Sequence, residues 1–151
     1  MNPLRWPDFY QSESNKPKSF WENLPLIGWL FSRSDYEPII NNVKEQLLAR
    51  PKLDPNVWGE NLARQQMAAY VCKIVREEYE WPNDHFIPAD LVEIVFQMPW
   101  DDLEIVAFML LVEEDLELEI SDKEAEEQSG TLGELVDFLV VKQAAKLARI
   151  H

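Results

Sequence analysis

Few side chains outside one acidic region could perform acid–base, nucleophilic or metal chemistry. The only histidines are His85 and His151, and the only cysteine is Cys72. A structural or catalytic zinc site needs three or four nitrogen or sulfur ligands at suitable spacing, and no such set occurs here. Cys72 stands among apolar residues, which favours a small core side chain over a nucleophile. The pair Asp84 and His85 is typical of a loop, so we predict no catalytic residue and no metal.

Carboxylates crowd residues 113–127, where they could act as a general acid and base or bind calcium. A calcium loop needs spaced Asp or Asn ligands around a central glycine, and this region has no such spacing. A solvated acidic face explains the pattern better, although it could serve solubility alone. We therefore predict that it binds a basic protein surface and that no cofactor is used. The predicted partner-binding residues are Glu104, Glu113, Glu114, Glu117, Asp122 and Glu124.

Composition limits the kind of partner. The net charge is −14, which disfavours nucleic acids and anionic membranes because their phosphates would be repelled. No apolar run approaches the roughly 20 residues that span a bilayer. The N-terminus has no apolar stretch of signal-peptide length, and one cysteine permits no internal disulfide. These features predict a cytoplasmic protein with no membrane span, and they leave a homo-oligomer possible.

The first 55 residues are predicted to form an extension. Residues 1–19 are polar and proline-containing, so we expect a loose tail. Residues 20–31 are mostly apolar but are interrupted by Pro25 and Gly28, which predicts packing on the rest of the protein. Binding to a partner or to a membrane surface remains the alternative. Apolar residues at helical spacing then predict a helix over about 36–49.

The remaining chain reads as a series of helices. Asp54 and Pro55 predict a helix start, and that helix is expected to run to about residue 80. Residues 91–96 are a short apolar piece, and Asp101 with Glu104 predicts a helix over about 101–117. Ser121 with Glu124 and Thr131 with Glu134 have the spacing of capping boxes, which predicts a short helix to about 127 and a final helix to about 148. No strand or hairpin signal appears, so the predicted fold class is all-α.

Residues 100–128 read WDDLEIVAFMLLVEEDLELEISDKEAEEQ, which resembles the centre of acyl carrier proteins. In that family an Asp-Ser-Leu motif opens an acidic second helix, and Asp101 and Leu103 match its outer members. The resemblance covers about residues 60–148 and is strong only after Pro99. It implies a four-helix bundle over residues 56–151, preceded by the N-terminal helical extension of residues 1–55. The end of the second helix is matched by Glu113, Glu114 and Leu116, the next segment by Ile120, Asp122, Glu124, Ala125 and Glu126, and the fourth helix by residues 131–139.

The middle position of the motif departs from the family. Asp102 stands where acyl carrier proteins have the serine whose hydroxyl receives 4'-phosphopantetheine. A carboxylate cannot form that phosphodiester, and its charge repels a phosphate. The resemblance with this departure implies a non-catalytic module for protein–protein contact or regulation. The alternative of an active carrier requires another serine, and Ser121 or Ser129 is nearest.

The predicted second helix is apolar on two sides. One side holds Ile105, Phe108, Met109, Val112 and Leu116, which the resemblance places in the bundle. A helix that is apolar all round is normally buried all round. We therefore expect the second side to be covered by residues 20–47 or by another subunit. That second side holds Leu103, Val106, Ala107, Leu110 and Glu114.

Tryptophans suggest a second possible function. A helical bundle with a Trp-rich extension could hold a lipid or another small molecule in its interior. Packing between the extension and the bundle is the simpler explanation for these rings. The tryptophans concerned are Trp21, Trp29, Trp58, Trp81 and Trp100.

Overall fold

The computed structural model describes residues 1–8, 36–97 and 103–150 of the 151-residue chain. Within these ranges there are helices and one isolated bridge between Leu91 and Thr131, with no strand, which confirms the all-α prediction. The helices are α1 (Tyr36–Leu48), a 3-10 helix (Pro55–Trp58), α2 (Leu62–Glu78), α3 (Val92–Val95), α4 (Leu103–Leu116), α5 (Asp122–Glu126) and α6 (Leu132–Ile150).

The helix predicted from Asp54 to about residue 80 is two helices. Asp54 accepts a hydrogen bond from the Asn56 amide and caps only the 3-10 helix. That helix ends at Trp58 and is followed by Gly59, whose φ of 95° lies in a region that L side chains rarely adopt. Asn61 then caps α2 by accepting a hydrogen bond from the Arg64 amide. The prediction of one helix was wrong because Gly59 and Asn61 together stop one helix and start another.

Both predicted capping boxes are confirmed. The Ser121 hydroxyl accepts a hydrogen bond from the Glu124 amide, and the Glu124 carboxylate accepts one from the Ser121 amide. At the start of α6, the Thr131 amide donates to Glu134 at 2.9 Å, and the Glu134 amide donates to the Thr131 hydroxyl at 3.3 Å. Each box satisfies two helix N-terminal donors that would otherwise lack partners.

The core joins residues from all six α-helices and the loops between them. Phe96, which follows α3, packs edge-on against Tyr79 and Phe108 at centroid distances of 5.5 and 4.8 Å. Trp81 is buried and its indole donates to the Val95 carbonyl at 2.9 Å. Trp58 is also buried in this core, as packing rather than a ligand pocket would require. The other tryptophans of that prediction, Trp21, Trp29 and Trp100, lie outside the described residues.

Residues 1–8 are not the loose tail that the sequence predicted. Leu4 is 2% exposed and Trp6 is 9% exposed, so both side chains belong to the core. The prediction failed because it weighed the polar composition and missed apolar residues at alternate positions, which share one face of an extended chain. We call residues 2–6 the N-terminal strap. The rest of the predicted tail and the apolar segment 20–31 lie outside the described residues.

Candidate functional site

Helix α4 corresponds to the predicted second helix, which the sequence predicts to be apolar on two sides. One of these sides packs in the core. Ile105, Phe108, Met109 and Val112 are buried, and Leu116 is half-buried against them. These residues recur at spacings of three and four, so they form one face of the helix. The predicted inward side of α4 is therefore confirmed.

The opposite side of α4 carries a stripe that faces solvent. Ala107 is exposed, Leu110 is 58% exposed and Leu111 is half-buried. Exposed Glu104 and Glu114 lie at the two ends of this row. We call these five residues the α4 stripe. Of residues 20–47, the described part is α1, which does not cover Ala107 and Leu110 because it packs with the strap and the loop after α2. Residues 20–35 lie outside the described residues, so cover by them stays a prediction. Cover by another subunit stays a prediction.

Two tyrosines from α2 and its end orient carboxylates of α4. Tyr79 donates to Glu104 at 3.3 Å, and Tyr70 donates to Asp115 at 2.7 Å. Burial, followed by the nearby carboxylate, raises the pKa of both tyrosine hydroxyls well above the usual value. Both hydroxyls therefore remain protonated donors at neutral pH. These two tyrosines have no signal in the sequence, because no local spacing links α2 to α4.

The C-terminal end of α4 is acidic, although a helix dipole favours positive charge there. Lys146 compensates by donating from Nζ to the Leu116 carbonyl at 2.9 Å. Glu113 accepts a hydrogen bond from the Ile120 amide at 2.7 Å, so it holds the following turn. Glu114 is exposed, and no ion pair or hydrogen bond joins its side chain to the described residues. Its charge is thus unfavourable to the helix, and no described residue compensates it.

The remaining predicted partner-binding residues have different surroundings. Glu117 pairs with Lys146 at 3.3 Å, and Glu124 pairs with Lys142 at 2.6 Å. The hydrogen bond from Lys142, with that from Ser121, lowers the pKa of Glu124. Asp122 is exposed at the first turn of α5. The predicted acidic region is therefore divided: α6 lysines neutralise one part, whereas Glu104 and Glu114 form the two ends of the α4 stripe.

The residues that correspond to the Asp-Ser-Leu motif, Asp101 to Leu103, lie at the edge of the described residues. Asp101 and Asp102 fall outside them, and α4 begins at Leu103. Ser121 is the nearest alternative serine, and its hydroxyl accepts a hydrogen bond from the Glu124 amide in the α5 capping box. Ser129 is exposed in the loop before α6.

No group of three or more His, Cys, Asp or Glu side chains is placed to hold a metal ion in the part of the chain that the structure describes. Among the same residues, no helix has both the length and the apolar character needed to cross a membrane. Comparison with protein-family models, curated proteins and solved structures finds no match for this chain.

Proposed function

We propose that this chain is a non-catalytic protein of the acyl-carrier type that binds a protein partner through the α4 stripe. The observation that carries the proposal is Leu110, a large apolar side chain that is 58% exposed between Glu104 and Glu114. An apolar centre with a charged rim is the usual composition of a protein–protein contact. The partner surface that fits it is an apolar knob or groove flanked by lysine or arginine.

Glu114 supports the same proposal from energetics. A negative charge in the last turn of a helix costs about 0.3–1 kcal/mol when it has no compensating partner. Neighbouring Glu113 offsets such a cost by holding the Ile120 amide, whereas Glu114 has no contact of this kind in the described residues. A basic partner would supply the missing compensation. It would also associate faster, because long-range attraction steers its encounter with an acidic protein.

The direct test reverses charge on the stripe. Glu104→Lys with Glu114→Lys is compared with a control, Glu45→Lys with Glu126→Lys, which makes the same charge change on exposed residues of α1 and α5. Proteins retained by the immobilised wild type are identified, and their affinities are then measured with purified components. We expect the stripe variant to lose affinity about tenfold or more and the control to lose much less. Equal losses would leave only a net-charge effect and would contradict the proposal.

A second test addresses the carrier chemistry. The chain is co-expressed with a broad-specificity phosphopantetheinyl transferase, and its intact mass is measured. We expect an unchanged mass, because Asp102 has no hydroxyl to modify. A pantetheine-sized increase would show an active carrier, and mapping would then ask whether Ser121 or Ser129 carries the group. Native mass spectrometry of the same sample would reveal a co-purifying lipid, the result that the alternative of a lipid binder requires.

A further inference from the structure

The N-terminal strap is held in a way that resembles a bound peptide. Along residues 2–6, its backbone polar groups are met by side chains of the protein body. The Leu4 amide donates to Asp90 Oδ1 at 2.8 Å, and Arg50 Nη2 donates to the Asn2 carbonyl at 2.8 Å. Gln46 contacts both sides of Arg5, accepting from its amide at 3.1 Å and donating to its carbonyl at 2.8 Å.

The side chains of the strap alternate between the body and solvent. Leu4 and Trp6 point inward and are 2% and 9% exposed, whereas Arg5 between them is exposed. The Trp6 indole also donates to Glu93 Oε1 at 3.3 Å. An extended peptide presents residues i and i+2 to the same surface, so this alternation is the one an extended ligand requires.

Arg50 and Asp90 also have contacts within the body of the protein. Arg50 and Asp90 form a buried bidentate pair, with two N–O distances of 2.7 Å. Asp90 also accepts from the Ile87 amide at 2.8 Å, and Arg50 donates to the His85 carbonyl at 3.1 Å. These contacts fix both charged groups from the body alone. Departure of the strap would therefore leave Arg50 and Asp90 paired with each other.

We propose that this site, the strap groove formed by Gln46, Arg50, Asp90 and Glu93, recognises an extended segment of a partner protein. Backbone atoms are common to all peptides, so Gln46, Arg50 and Asp90 select an extended chain rather than a sequence. The positions of Leu4 and Trp6 supply the sequence preference, which is two large apolar side chains separated by one residue. The strap is then a competitor in cis. This proposal concerns a surface distinct from the α4 stripe and does not depend on its function.

Because the strap already occupies the groove, it lowers the apparent affinity of the groove for any other peptide. A segment tethered to its own site acts at an effective concentration on the order of millimolar. A partner segment must therefore exceed the strap in affinity or in local concentration to displace it. A substitution that weakens binding of the strap to the groove should therefore allow a separately added peptide to bind there.

The test uses the full chain and a synthetic peptide with the sequence of residues 1–8. The chain carrying Leu4→Ala and Trp6→Ala should bind this peptide about tenfold or more tightly than wild type does, because its own strap competes poorly. An Arg5→Ala chain is the matched control and should behave as wild type, since that side chain is exposed. A peptide with both apolar residues replaced by alanine should not bind. Absence of saturable binding to the folded double variant would overturn the proposal.

A second measurement needs no variant and applies even if the double variant does not fold. Millimolar peptide is added to the wild-type chain, and exchange of the Leu4 and Arg5 amide hydrogens is followed. We expect exchange at these amides to accelerate with peptide concentration, and the alanine peptide to have no effect. Unchanged exchange would contradict displacement. A wild-type dimer that separates on peptide addition would identify a second copy as the occupant and would overturn the assignment to a different partner.

Discussion

At the scale of single residues, the most consequential contact is the buried carboxylate of Asp90. It is 0% exposed and accepts hydrogen bonds from both Arg50 terminal nitrogens and from the Leu4 and Ile87 amides. A buried charge that loses its partner is costly, because water no longer solvates it. The pair thus makes the strap, the end of α1 and the loop after α2 depend on one another.

Asp90→Asn should therefore lower the free energy of unfolding by about 3–5 kcal/mol, because Arg50 would remain buried without its counter-charge. Urea denaturation followed by circular dichroism measures the change. The matched control is Asp137→Asn, which removes the 2.6 Å pair with Arg64 at a carboxylate that is 56% exposed. We expect the control to cost less than about 1 kcal/mol. Similar losses in the two variants would show that burial of the Asp90 pair does not matter.

Tyr70 predicts a dependence on alkaline pH. Its folded-state pKa lies above the usual value of 10.0 because of burial and Asp115, so the native state keeps the proton longer than the unfolded state does. Its contribution to stability is therefore fully present below pH 10 and is lost as pH rises through the folded-state pKa. The urea midpoint of wild type should fall more steeply than that of Tyr70→Phe as pH rises above about 10. Parallel curves would rule out this contribution.

At the scale of elements, sequence signals were sufficient where they were local. Ser121 and Thr131 each begin a helix at the position that their capping boxes predict. The break at Gly59 was missed because its effect depends on Asn61 offering a second cap two residues later. The strap was missed for a different reason: its partners, Gln46 and Asp90, are distant in sequence. Contacts of that range have no signature in local spacing.

Gly133 in the first turn of α6 gives an element-scale prediction. A Cβ there would lie 2.9 Å from the Pro88 Cβ and 3.1 Å from the Pro88 carbonyl oxygen. Alanine normally favours a helix by about 1 kcal/mol over glycine, but overpacking costs about 1–3 kcal/mol. Gly133→Ala should therefore destabilise the protein in thermal or urea unfolding. As a control, Ala144→Gly at an exposed position of α6 should also destabilise, which would show that the usual preference holds in this helix. Stabilisation by Gly133→Ala would mean that the loop at Pro88 can move away from the added Cβ at little cost in free energy.

At the scale of the whole molecule, basic residues of α6 pair with only one part of the acidic surface. Lys142 and Lys146 lie on α6 and meet carboxylates and carbonyls around the end of α4. This arrangement neutralises one part of the acidic region and leaves the α4 stripe with its negative rim. The sequence alone showed where the carboxylates are concentrated, but only the three-dimensional arrangement shows which of them have internal partners.

The net charge of −14 predicts the response of stability to salt. Self-repulsion opposes the compact state, and sodium chloride screens it. Salt also weakens exposed ion pairs such as Arg64–Asp137, but each of these contributes only about 0.2–1 kcal/mol. We expect screening of repulsion to dominate, so the urea midpoint should rise between low and physiological ionic strength.

The charge-reversal variant provides the internal comparison for this salt response. Each Glu→Lys substitution removes one negative charge and adds one positive charge, so Glu104→Lys with Glu114→Lys changes the net charge from −14 to −10. Its urea midpoint should therefore rise less with added salt than that of wild type, because there is less repulsion to screen. The control pair, Glu45→Lys with Glu126→Lys, has the same net charge and should show a similar reduction. A midpoint that falls with salt in wild type would mean that ion pairs, rather than repulsion among carboxylates, govern the electrostatic stability of this protein.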